Sequence, residues 1–143
     1  MTALAEPRDA ELPTSPRAKA SLVAEILATH RRARRVLRTK QLAAAVDELT
    51  AGHPRRGADK RDRVTAMRLE RAVRYTLKLP GADSRCLMQS LVLTRLLARR
   101  GIQTRLVIAV RPGERFAAHA WIEHDDVALL PAFAQSFEQL VTL

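Results

Sequence analysis

The chain has a single cysteine, Cys86, so it can form no internal disulfide and cannot by itself build a thiolate zinc site. A lone cysteine in such a chain is either a small buried hydrophobe or a nucleophile. Aromatic residues make up 3% of the sequence, too few for the stacking platforms of single-strand binders, and neither a C2H2 spacing nor an RNP-like motif occurs. No apolar run approaches the roughly 18 residues needed to span a bilayer, which argues against a membrane protein. The first fifteen residues mix Glu, Asp, Pro and Ala without the apolar stretch of a signal peptide, so a cytoplasmic location is expected. Lysine is scarce as well, four residues against 21 arginines, the bias of an Arg-heavy, Ala-rich chain.

What remains is 143 residues, 47% hydrophobic and 28% charged, enough for one domain that buries about two-thirds of its unfolded surface. The net charge of +10 suits an acidic protein or peptide partner as well as a polyanion, and the shortage of aromatics argues against nucleic acid as the main partner.

Residues 1–14 carry Pro7 and Pro13 without apolar periodicity and read as a flexible tail, leaving residues 15–143 as a single domain with a helical part (15–79) and a core (80–143). Ser15 is a plausible cap and Pro16 a first-turn residue for a helix with Leu22, Val23, Ile26, Leu27, Ala33 and Val36 on one stripe. Its other face carries Arg31, Arg32, Arg34 and Arg35, best read as solvated. A short helix is expected over residues 41–49, ending at Ala51-Gly52, followed by a loop around His53-Pro54. A third helix is expected over residues 59–77, with Val64, Met67, Ala72 and Leu77 facing inward and a stop before Pro80-Gly81. Asp83 or Ser84 can cap a fourth, whose dense apolar residues Leu87, Met88, Leu91, Val92, Leu96 and Leu97 predict burial; Gly101 terminates it.

Beyond Gly101 the apolar period changes from 3.6 to 2. Leu106, Ile108 and Val110 alternate with their neighbours, Pro112-Gly113 turns the chain, and residues 116–123 and 127–130 read as further strands. At least three antiparallel strands after four helices define an α+β fold, with the buried Cys86 helix as the natural cover of the sheet.

A cysteine in the first turn of a helix meets unpaired backbone N–H groups and the positive end of the helix dipole, surroundings that suit a nucleophilic sulfur. A thiolate nucleophile also needs an acid to protonate the leaving amine. Of the four histidines, His119 is the one on a central predicted strand, where it shares a face with Trp121 and Glu123, opposite Ala118, Ala120 and Ile122. His30, on the basic helix, and His124, in a turn, read as surface residues. Taken singly, Cys86 and His119 are each more often structural; together they form the arrangement in which thiolate and imidazole activate each other.

The strings Ser84-Arg85-Cys86-Leu87-Met88-Gln89-Ser90-Leu91, Leu96-Leu97-Ala98-Arg99-Arg100-Gly101-Ile102 and Phe116-Ala117-Ala118-His119-Ala120-Trp121-Ile122-Glu123 resemble the stand-alone leader peptidases, or B2 proteins, of lasso-peptide biosynthesis. The resemblance runs from about residue 71 to 140. It implies a transglutaminase-like, papain-related cysteine protease without metal or cofactor, in which Cys86 is the nucleophile and His119 the base and acid. It further implies a precursor peptide whose leader is removed, a small separate leader-recognition B1 protein, and a macrolactam cyclase acting on the freed amine.

The family usually supplies an aspartate about a dozen residues after the histidine, where this chain reads Leu130-Pro131-Ala132. If Asp125-Asp126 form a hairpin turn, the residue opposite His119 is near Ala132, which places the orienting position at Pro131 or a neighbour. Asp125 and Asp126 fall at the turn, and Gln135 is the nearest polar side chain after Val127 that could accept the imidazole N–H. Two other readings stay open: a basic helical binding module without catalysis, and an acyltransferase using the same Cys–His pair.

Overall fold

A computed structural model of the chain describes residues 15–53, 60–82, 85–111, 117–124, 127–129 and 138–142. Among these residues four helices, α1 (Pro16–Thr39), α2 (Leu42–Thr50), α3 (Asp62–Thr76) and α4 (Cys86–Arg99), precede four strands, β1 (Arg105–Arg111), β2 (Ala117–His124), β3 (Val127–Ala128) and β4 (Glu138–Thr142). The strands form one antiparallel sheet in the order β3-β2-β1-β4, so the fold is α+β. The expected tail lies outside the described residues.

Local chemistry sets most of the helix boundaries. Ser15 Oγ accepts the Ala18 N–H at 3.2 Å with Pro16 just inside the helix, and α1 buries Ile26, Ala33 and Val36. Helix α4 ends in a Schellman arrangement: Gly101 takes φ 75°, its N–H donates to Ala98 O, and the N–H of buried Ile102 donates to Leu97 O, each at 2.9 Å. Only glycine reaches this φ without strain.

Helix α4 is the centre of the molecule. It buries Met88, Ser90, Leu91, Val92, Leu93, Thr94, Leu96 and Leu97 and packs against α1, α2, α3 and β2. Two arginines hold its outer end: Arg95 donates to the Leu49 carbonyl of α2 at 3.0 Å, and Arg100 forks onto both carboxylate oxygens of Glu25 on α1 at 3.2 and 3.1 Å. Leu106, Ala120 and Ile122 join the helical core on the sheet face that α4 covers.

Several expectations need correction. Val64 and Met67 of α3 are 51% exposed; the buried positions are Ala66, Leu69, Val73 and Thr76, continued by Leu77. The helix carries apolar residues on two opposite faces, and packing on α4 selects the stripe that extends into Leu77. His30 is buried, because it lies four residues after Ile26 and three before Ala33 on the inward stripe of α1. His124 is also buried, at the end of β2 rather than in a turn, and its Nδ1 donates to Gln103 O at 3.2 Å. Residues 138–142, outside the strands expected from the sequence, form β4 paired with β1, and the four strands agree with the expectation of at least three.

Candidate active site at the start of helix α4

Cys86 is the first residue of α4. The residue in the capping position is Arg85, in extended conformation (φ −62°, ψ 149°), and it makes no side-chain cap; the expected caps Asp83 and Ser84 lie outside the described residues. The first intrahelical bond runs from Gln89 N–H to Arg85 O, so the N–H groups of Cys86, Leu87 and Met88 have no acceptor within the helix. The half-buried thiol therefore stands where backbone dipoles converge.

Strand alternation decides what faces it. Leu129 N–H donates to Ile122 O at 2.9 Å, so the backbone polar groups of Ile122 point toward β3. Ala120, two residues earlier, points the same way but lies beyond the two-residue strand β3. Its N–H donates to Cys86 Sγ at 3.4 Å. The sulfur thus occupies the place that a carbonyl of a longer neighbouring strand would take, at the edge of the sheet beside β2.

His119 is the residue immediately before Ala120, in register with Ala109 of β1. It shares a face with Trp121, as alternation predicts: the two rings stack with centroids 5.9 Å apart and planes 29° apart, and Trp121 Nε1 donates to Glu123 Oε1 at 3.2 Å. That face is the one turned away from the Leu106, Ala120 and Ile122 surface covered by α4. Cys86 and His119 therefore meet β2 at adjacent residues but from different sides, the sulfur in the plane of the sheet and the imidazole on its far face. Partial burial lowers the His119 pKa below the ordinary imidazole value of 6.5, so the ring is neutral at neutral pH, the form able to accept a proton.

The hairpin register agrees with the sequence reading. Glu123 pairs with Ala128 and His124 with Val127, which leaves residues 125 and 126 between the paired positions. Asp125, Asp126, Pro131 and Gln135 lie outside the described residues. The burial of His124 was legible in its parity with Ala120 and Ile122. The donation from Ala120 to sulfur had no signal in the sequence, because it joins two segments 34 residues apart.

An open groove of about 690 Å³ adjoins the start of α4, lined by Arg34, Leu37, Arg38, Ala82, Arg85 and Met88. A more enclosed cavity of about 260 Å³ lies at the other end of α4, beside Ala98, Gly101 and His53, away from Cys86. Among the described residues no cluster of three or more His, Cys, Asp or Glu side chains could hold a metal ion, and no helix is long and apolar enough to cross a membrane.

Residues 27–142 match the transglutaminase-like superfamily, and the chain belongs to it. That superfamily includes cysteine peptidases and transglutaminases. No curated protein and no solved structure matches the chain.

Proposed function

We propose that this chain is a cytoplasmic cysteine peptidase that removes the leader from a ribosomally made lasso precursor peptide before macrolactam formation. In this reading residues 15–143 act as one peptidase unit, a separate leader-recognition protein presents the precursor, and a macrolactam cyclase uses the freed amine. The observation that carries it is the 3.4 Å contact of Cys86 Sγ with the N–H of the residue following His119, in a chain of transglutaminase-like family. The sequence strings around these residues supply the narrower lasso assignment.

The chemistry follows from the groups present. In this reading the neutral His119 ring, one residue from the Ala120 N–H that the sulfur meets, turns from the far face of the sheet toward that edge and takes the thiol proton as Sγ attacks the scissile carbonyl. The oxyanion of the tetrahedral intermediate falls near the N–H groups that open α4 and have no acceptor within the helix. The C–N bond breaks, His119 returns the proton to the departing core amine, and the leader stays on Cys86 as a thioester. Water activated by His119 then hydrolyses the thioester, releasing the leader carboxylate and the free thiol. The groove lined by Arg85 and Met88, with apolar residues between arginines, opens at the same end of α4 as Cys86 and suits an extended peptide. Gln135 is the proposed third member, its side-chain oxygen accepting the N–H of the ring nitrogen that does not take the thiol proton.

The test is mass-spectrometric detection of core and leader after mixing the chain with a lasso precursor and its leader-recognition protein. Cys86→Ala is expected to lower release by at least about 10³-fold while the fold is kept, with a comparable loss in His119→Ala. Gln135→Ala is expected to lower it more than Asp125→Ala or Asp126→Ala. Undiminished release by Cys86→Ala would refute the peptidase reading. Transfer of the leader to an added amine in place of water would instead assign an acyltransferase.

A further inference from the structure

Among the described residues the large apolar side chains left exposed are Val64, Met67, Tyr75 and Leu79, at 51, 51, 60 and 46%, and all four belong to α3 or the turn that follows it. At about 100° per residue, Val64, Met67 and Tyr75 share a sector of about 100° with Arg68 and Arg71, opposite Ala66, Leu69 and Val73. Arg68, Arg71, Tyr75 and Lys78 are exposed too. The Tyr75 ring lies 5.7 Å from the Arg74 guanidinium and 5.1 Å from the Lys78 ammonium. The acidic residues of α3 leave this stripe cationic: Asp62 is buried, and Glu70, 3.6 Å from Arg74 and also in reach of the Arg71 charge, lines a small cavity with Val73 and Gln89 on the inner side, against the four cations Arg68, Arg71, Arg74 and Lys78.

We propose that the outer face of α3 docks an acidic amphipathic segment of a partner protein. The proposal stands independently of the chemistry at Cys86. A stripe in which apolar and cationic side chains alternate is complemented by a segment alternating Leu-type and Glu or Asp residues, since each apolar contact excludes water while the flanking charges are matched. A second copy of the chain would bring the same cations against this face. A phosphate polyanion would satisfy Arg68 and Arg71 but cover Val64, Met67 and Leu79 with polar backbone. A lipid surface calls for contiguous apolar area with cations at its rim, whereas Arg71 sits in the middle of the sector.

The test uses the full chain and a dye-labelled synthetic helical peptide of about 18 residues, with Leu at i, i+3 and i+4 spacing and Glu between, alongside a scrambled peptide of the same composition. Fluorescence anisotropy in roughly 0.15 M salt reads the affinity. The ordered peptide is expected to bind about tenfold or more tightly than the scramble. Arg68→Glu/Arg71→Glu and Val64→Ser/Met67→Ser are each expected to weaken it about tenfold, and the equal charge reversal Arg31→Glu/Arg35→Glu on α1 to leave it within about twofold. Arg68→Gln/Arg71→Gln replaces the reversal if circular dichroism shows a loss of helix. No binding, equal binding of the scramble, an equal loss from the α1 reversal, or tighter binding to a DNA duplex or phosphatidylserine vesicles than to the peptide would each overturn the proposal.

Discussion

Helices α3 and α4 are neighbours of similar length with opposite relations to solvent. Helix α4 is enclosed along its length from Met88 to Leu97, and the thiol it carries sits at its first residue, where it emerges beside the sheet edge. Helix α3 buries one stripe and leaves Val64, Met67 and Tyr75 outside. The difference separates two uses of apolar residues. Packed on every side, they make a rigid post that holds a thiol against Ala120 N–H; left on an outer face among arginines, they make the exposed stripe for which we propose a docking role.

The comparison breaks if truncation costs the same on both helices. Leu91→Ala removes a fully buried side chain of α4 and is expected to cost about 3 kcal/mol of unfolding free energy, read as a drop in urea midpoint. Met67→Ala on the outer face of α3 is expected to stay within about 0.5 kcal/mol. Equal losses would mean that the outer face of α3 is covered within this chain.

A smaller effect is expected where α4 is tethered by charge. Glu25 receives Arg100 on both oxygens and Arg99 on one at 3.2 Å, but the pairs are partly exposed. Glu25→Gln is therefore expected to cost about 1 kcal/mol or less, with the cost shrinking at high salt. The rate of Cys86 alkylation by iodoacetamide should be unchanged, because the tether lies at the far end of the helix. A changed rate would show that the two ends of α4 are mechanically coupled.

The smallest effect concerns His119. Its pKa is lowered in the folded chain by burial, so between that lowered value and 6.5 the unfolded chain binds more protons at this residue than the folded one. Its contribution to stability is thus present above pH 6.5 and lost as the pH falls through that window. His119→Gln is expected to flatten the acid side of the urea-midpoint profile; a profile identical to wild type would place the ring in open solvent.

The readings that held rest on neighbours in sequence. Ser15 and Pro16 open α1 and Gly101 closes α4 because caps are local hydrogen-bond chemistry, and the change of period after Gly101 separates helices from strands. The pairing of Glu123 with Ala128 was legible because a two-residue turn leaves one register. Misread positions share another property. Val64 and Met67 fit an inward stripe as well as Ala66 and Leu69 do, and periodicity alone cannot rank two faces of one helix. Strand β4 pairs with β1 across some thirty intervening residues, a distance at which the sequence carries no pairing signal.

By itself, then, the sequence determined the four helices, the α+β order and the identity of Cys86 and His119 as the residues to examine, because each follows from short-range spacing and side-chain type. Only the tertiary structure decided that β3 is short enough to leave Ala120 N–H facing the sulfur, that the imidazole stands on the other face of the sheet, and that α3 turns Val64 and Met67 outward. Those outcomes depend on which apolar surfaces meet and which backbone donors remain unpaired once they have met, and both are properties of the packed chain.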